Sequence, residues 1–315
     1  MKPTPKVHSM RNPMKMIGMA LAIAGAAAMM QAGNAAAAAG GAARMFATPD
    51  AVFQALADAV KANDEKAAAA IFGADGARIL NSGDPVRDKN ARARFAAAYA
   101  QKHAVNMKGN AQAELVVGND EWPFPVPAVK VAGGWALDSA AGAREIVARR
   151  IGENELDAIA TVRAIADAQF DYSGAPRVGN VAQYARKFVS STRKKDGLYW
   201  KTKAGEPDSP LGPLVASATR EGYGKSTPFH GYRFRILLSQ GKSAKGGARS
   251  YVVGGNMIGG FGVLAYPAVY GDTGIMSFIV NQDGVVYEKD LGKHTPEVGP
   301  KVSTFDPDET WKAVK

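Results

Sequence analysis

Apolar and polar positions along the chain alternate between two periods, and the switch between them predicts the elements. From Thr48 the pattern is helical. Val52, Leu56 and Val60 recur every fourth residue, with Ala55 and Ala59 beside them. Thr48 suits the N-cap, Pro49 the first helical position and Asp50 the positive helix end, and this helix is predicted to end near Asn63. A second helix is predicted over Asp64 to Phe72, a loop over Gly73 to Asp84, and a third helix from about Arg87 to His103. The period then drops to two. Ala113, Leu115 and Val117 alternate with Gln112, Glu114 and Val116, and Gly133-Gly134 joins two short strands as a hairpin. Trp122 to Pro127 carries three prolines, which remove ladder donors, so it reads as an extended edge or connector.

The second half repeats this plan. A long helix is predicted from Glu153 to about Tyr172, on the spacing of Leu156, Ile159, Val162, Ile165, Ala166 and Phe170. Val181 to Val189 reads as a further helical turn or two, and Leu211 to Arg220 as a short helix ending at Gly222. Strands are expected at Tyr232 to Leu238, Phe261 to Tyr266, Ile275 to Val280 and Val285 to Glu288. Asn281 to Gly284 forms a tight turn between the last two. The fold class is therefore α+β: a helical and small-sheet unit over 46–145, then a long helix packed on an antiparallel sheet over 151–315.

Residues 1–40 follow a third pattern. A basic stretch ends at Lys15, Met16 to Met30 is apolar, and small residues follow, with Gly33 and Ala35 fitting a signal-peptidase site. An uncleaved anchor is the alternative, but the run of about 15 residues falls short of the ~20 a span needs. The expectation is a periplasmic or secreted protein with no stable membrane insertion after cleavage.

Charge sharpens this picture. The formal net charge of the 315 residues is +10, and Lys2, Lys6, Arg11 and Lys15 contribute four of those charges. The remaining +6 suits loose contact with an anionic cell-wall polymer or lipid headgroups, and no basic cluster interleaved with aromatics points to nucleic acid; the expected partner is an envelope protein or cell-wall polymer. The chain has no cysteine, which excludes disulfides, thiolate metal sites and thiol nucleophiles.

Long strings along the mature chain resemble the exported bacterial proteins grouped as the domain of unknown function 2950 family. They include Phe46-Ala47-Thr48-Pro49, Ser82-Gly83-Asp84-Pro85, Trp122-Pro123-Phe124-Pro125 and Asp196-Gly197-Leu198-Tyr199-Trp200. His230-Gly231-Tyr232-Arg233-Phe234 and Met257-Ile258-Gly259-Gly260-Phe261 continue the match. This resemblance implies export but no activity. The element order of 46–140 is similar to the NTF2-like domains. Asn154-Glu155-Leu156, Ala160 to Ile165 and Ala168-Gln169, with the strands to 291, resemble type IV pilin-like heads. The leader lacks the pilin processing site and the long apolar helix, so assembly into a shaft is not implied.

Candidate chemistry is sparse. Apart from His8 in the leader, His103, His230 and His294 sit at no metal-ligand spacing, so no metal is expected, and no cofactor either. His103 is expected to close its helix. His230 is the one candidate base, with Asp283, Glu288 or Asp290 as orienting acids across the sheet. Glu206 and Asp208 form a possible carboxylate pair on a loop. Trp122, Tyr199 and Trp200 lie on connectors, where exposed aromatics stack on sugars or peptides. With His230 and Tyr232 they make up the candidate binding set. The reading is a non-enzymatic exported envelope protein that binds a partner or cell-wall polymer. The alternatives are a small-ligand carrier with an NTF2-like cavity and an envelope glycan hydrolase or transferase.

Overall fold

In the computed structural model residues 43–224 and 227–315 are described, so the expected signal segment lies outside them. The chain opens with α1 (Pro49–Lys61), α2 (Glu65–Phe72), α3 (Gly76–Leu80) and α4 (Pro85–Gln101). The expected caps form. Thr48 Oγ1 accepts from the Ala51 amide, and Asp64 and Asp84 carboxylates accept from Ala67 and Arg87 amides. The loop expected over 73–84 holds a 3-10 turn and α3. Gly76 seats that helix so close to α2 that a Cβ there would meet the Ala69 carbonyl at 2.4 Å.

Five strands follow: β1 (His103–Lys108), β2 (Gln112–Val117), β3 (Trp122–Pro123), β4 (Ala128–Val131) and β5 (Gly134–Leu137). They pair antiparallel in the order β1-β2-β4-β5, with β3 on β2. Burial in β2 alternates as the sequence pattern requires, with Ala113, Leu115 and Val117 inward. His103 lies just past the end of α4, its Nδ1 2.9 Å from the Tyr99 carbonyl in the last turn of that helix. It opens β1, stacking at 3.9 Å on the Tyr99 ring. The space between helices and sheet, where a carrier would need a cavity, is occupied by Phe53, Phe95, Tyr99 and Phe124, whose ring centroids lie 5.1–6.2 Å apart. A fully buried ring such as Phe53 contributes about 1.5–3 kcal/mol, and the partly buried Phe95 and Phe124 contribute less.

The long helix begins earlier than its apolar spacing indicates. α5 runs from Ser139 to Ser173, 35 residues, capped by Asp138 and passing unbroken through 145–151. Its buried face is set by Ala158, Val162, Ile165 and Tyr172 together with polar Asn154, Thr161 and Gln169. Leu156, counted in the expected stripe, is 69% exposed. Segment 181–189 is not helical. It lies extended, held by Gln169, whose amide nitrogen donates to the Ala185 carbonyl (2.9 Å) while its oxygen accepts from the Ala185 amide (2.8 Å).

After α6 (Gly212–Glu221) comes the second sheet, order β14-β13-β12-β11-β6, all pairs antiparallel. Its strands are β6 (Tyr232–Leu237), β11 (Gly262–Pro267), β12 (Met276–Asn281), β13 (Tyr287–Asp290) and β14 (Lys312–Ala313). Between β6 and β11 lie two hairpin pairs, β7 (Ser239–Gln240) with β8 (Arg249–Ser250), and β9 (Val252–Val253) with β10 (Asn256–Met257). α5 covers one face through Val162, Ile165, Tyr232, Phe261, Val263 and Phe278. The other face, with Leu237, Leu264, Tyr266 and Ile279, is covered by Phe305 and Trp311 near the C-terminus. Burial on both faces explains why β11 reads as a continuous apolar run. The α+β class, a helix laid on an antiparallel sheet, holds. No helix among the described residues is long and apolar enough to cross a membrane.

Candidate functional site

His230 sits in a two-residue turn. Phe229 and Tyr232 exchange backbone hydrogen bonds (2.9 and 3.0 Å), and the central residues His230 and Gly231 have φ of 49° and 72°. Positive φ at both central positions is the geometry of a tight hairpin turn, and only the glycine adopts it without strain. The turn docks on α5. A Cβ at Gly231 would meet the Asn154 amide nitrogen at 2.7 Å, and Asn154 itself, fully buried, donates to the Thr273 carbonyl. Asp157 lies one helical turn beyond Asn154, which places its carboxylate under the imidazole.

Both ring nitrogens are thereby engaged. Nδ1 lies 2.5 Å from Asp157 Oδ2 and Nε2 2.9 Å from Glu221 Oε2 at the end of α6. Burial lowers the histidine's proton affinity, but the hydrogen bond to Asp157 and the charges of Asp157 and Glu221 outweigh it, so its pKa is raised. The acids expected across the sheet, Asp283, Glu288 and Asp290, are not its partners. The network continues outward. Tyr223 stacks on His230 (5.4 Å, 21°) and donates to buried Asp84 (2.9 Å), and burial followed by the Asp84 charge holds this phenol's pKa up. Arg87 pairs with Glu153 and lies 3.8 Å from Asp157. An imidazole acting as a general base needs a free lone pair facing the substrate. Here both nitrogens face carboxylates, an arrangement that favours the protonated ring and ties α5, α6 and the β6 turn together.

The other candidates divide. Tyr232 is fully buried, its hydroxyl donating to the Met276 carbonyl (2.8 Å) and its pKa raised by burial. It is a core residue facing α5, not a surface contact. Trp122 is 44% exposed on edge strand β3, with Arg149 over its ring at 5.4 Å. Tyr199 is half-buried, its backbone bonded to Phe188 and Ser190. Trp200 meets Tyr172 edge-on at 6.5 Å, and both Arg177 (5.7 Å) and Lys195 (5.3 Å) lie over its ring. Glu206 closes a local turn by accepting from the Lys203 amide, and it and Asp208 are exposed.

Tyr199 and Trp200 belong to a segment with an unusual charge. Between Gly174 and Ala204 there are eight basic residues and one acid, a net +7, which leaves the rest of 44–315 at −1. The acid, Asp196, is bonded to Lys187 (2.7 Å) and to the Ser191 amide, and the Lys187 hydrogen bond leads in pulling its pKa down to about 2. Among the described residues Arg177, Arg186, Arg193, Lys194, Lys195, Lys201 and Lys203 form no salt bridge. Beside them runs a groove of about 480 Å³, lined among others by Tyr172, Gln183, Tyr184, Arg186, Lys187 and Asn256.

A family model described as protein of unknown function (DUF2950) matches residues 43–314. The chain belongs to this family. No curated protein and no solved structure matches it. What this DUF2950 chain offers chemically is thus read from its own residues: a charge-satisfied cluster at His230 and a charge-unsatisfied face around Trp200. Sequence reasoning singled out His230, Tyr199 and Trp200, read Arg193-Lys194-Lys195 as a solvated helix end or loop, and did not consider Arg177 and Arg186. The signal that finds them is a charge count over a window of about 30 residues, since no single run exceeds Arg193-Lys194-Lys195. The described residues contain no group of three or more His, Asp or Glu side chains arranged to hold a metal.

Proposed function

We propose that this protein is exported to the bacterial envelope and acts there by binding, without catalysis, engaging an anionic partner of the cell wall. The observation that carries the reading is the division of charge. The stretch 174–204 carries a net +7 against a total of +6 for 44–315, and apart from Lys187, paired with Asp196, its cations form no salt bridge among the described residues. The double capping of His230 supports the non-catalytic part, because a histidine held by Asp157 and Glu221 has no nitrogen to offer a substrate. The basic leader, apolar run and Gly33/Ala35 pattern support export.

The test is fractionation of a bacterium expressing the full chain, with N-terminal sequencing, followed by sedimentation with purified cell walls. The expected result is a periplasmic or secreted chain that starts after Ala35. It should sediment with walls, leave them as salt is raised, and release no soluble wall fragments. A chain starting at Met1 in the membrane fraction would end the export reading. Wall turnover that His230→Gln abolishes would replace binding by hydrolysis.

A further inference from the structure

Within that reading, we infer that the groove beside Trp200 is a binding site for a single extended strand of anionic glycan, one whose sugars carry carboxylate or phosphate groups. Three observations carry this. The first is the uncompensated charge. Keeping eight cations on 31 residues costs repulsion in the free protein, and an anion laid along them relieves it. Arg177 adds a particular vacancy: its Nε is buried and has no hydrogen-bond partner among the described residues.

The second is the state of Trp200. A tryptophan that stacks on a neutral sugar must present an open ring face. This ring already carries the Arg177 guanidinium and the Lys195 ammonium and meets the edge of Tyr172. Cation–π contact worth about 0.5–1 kcal/mol at an exposed site biases these two long side chains toward the ring without fixing them, since holding one rotamer costs up to about 2 kcal/mol. The ring therefore aims charge, and what it aims at is an anionic group.

The third is shape and lining. The groove is concave, so a flat lipid surface cannot enter it, whereas one polymer strand can. One wall is the 178–187 segment and the other includes β10. Gln183 joins them, bonding the Val178 carbonyl, the Asn256 side chain (3.2 Å) and the Met257 amide (3.1 Å). Tyr172, Tyr184, Gln183 and Asn256 in the lining suit sugar hydroxyls, Arg186 and Lys187 meet the charge, and the one lining carboxylate, Asp196, is paired with Lys187. Lys187 is committed to Asp196, so Arg186 is the cation left to read charge within the lining, and Arg177 and Lys195, held over the Trp200 ring that meets Tyr172, flank the groove.

The experiment measures binding of the purified mature chain to three soluble probes, oligogalacturonate (carboxylate), phosphomannan (phosphate) and neutral oligomaltose, and to vesicles of anionic lipid. The expected result is salt-sensitive binding to one or both charged glycans, none to oligomaltose, and a change in tryptophan emission that Trp200→Leu removes. The double variant Arg186→Glu/Lys195→Glu should bind at least about tenfold more weakly. Arg186→Lys/Lys195→Arg, which keeps the charge, should bind within about threefold of the parent. Circular dichroism confirms that both variants fold. Binding to vesicles alone, equal binding by the charge-reversed variant, or no binding to either charged glycan overturns the assignment. Cell-wall sedimentation that survives charge reversal would leave the envelope reading standing and remove the groove from it. A cytoplasmic chain would remove the envelope reading whatever the groove binds in solution.

Discussion

Around His230, the side chains of Asp84, Arg87, Asp157, Glu221 and Tyr223 arrive from separate stretches of chain, and each meets a partner of complementary character. Between Gly174 and Ala204 the reverse holds: cations outnumber acids eight to one, and most reach only solvent or the Trp200 ring. Both regions lie next to α5. The difference teaches that a histidine flanked by carboxylates can have both ring nitrogens taken up inside the fold, while most lysines and arginines on an irregular segment have no acid paired with them among the described residues. A charge whose partners are all internal is part of the fold; one without them is free to act on something else.

The comparison breaks most severely at the joint that holds the basic segment to the core. Gln169→Leu leaves the amide and carbonyl of Ala185 without partners in a buried place, and it should cost about 3 kcal/mol in urea unfolding. A loss under about 1 kcal/mol would show that the segment is held elsewhere. Asp84→Ala removes both the cap of α4 and the acceptor of Tyr223, and about 2 kcal/mol should be lost.

A smaller effect is expected at His230, because Asp157 and Glu221 are 43% and 37% exposed and water screens them. The histidine's folded pKa is raised, so its contribution is fully present below the unfolded value of about 6.5 and disappears as pH rises through the folded value. His230→Gln should lower stability by about 1 kcal/mol at pH 5.5 and little at the alkaline end, flattening the pH profile of the melting temperature. An unchanged profile would mean the imidazole is not charged in the fold.

The smallest effect belongs to the other side of the comparison. Lys194→Gln and Lys201→Gln should change stability by no more than about 0.5 kcal/mol, with any shift toward greater stability as repulsion falls. A large loss in either would show a hidden structural partner and erase the contrast drawn above.

Much of this architecture was legible residue by residue. Thr48, Pro49 and Asp50 mark the start of α1 because capping chemistry is local, and the alternation of Gln112 to Val117 marks β2 because half-buried strands have period two. The four strands expected from Tyr232 on fall within two residues of their places, while the short strands β7 to β10 and β14 were not expected. The failures share a cause. Val181 to Val189 has helical spacing but lies extended, because Gln169, twelve or more residues away, occupies the Ala185 backbone groups a helix would need. The first turns of α5 carry alanines and charges rather than an apolar stripe, so periodicity missed them, and the Asp138 cap that starts the helix was not read from the sequence. β1 has only one half-buried position and shows no alternation, so its place depends on β2.

By itself the sequence determined the elements that caps, turns and periodicity specify within a few residues. It also determined the net charge of each stretch, since charge is additive and does not depend on folding. The tertiary structure alone decided which charges meet. His230 reaches Asp157, 73 positions away, because a left-handed turn at Gly231 rests on Asn154 of α5. Arg177 and Lys195 share one ring because Tyr172 anchors the loop through the Lys195 carbonyl. Such pairings depend on how distant surfaces pack, and packing is a property of the whole chain that no local window contains.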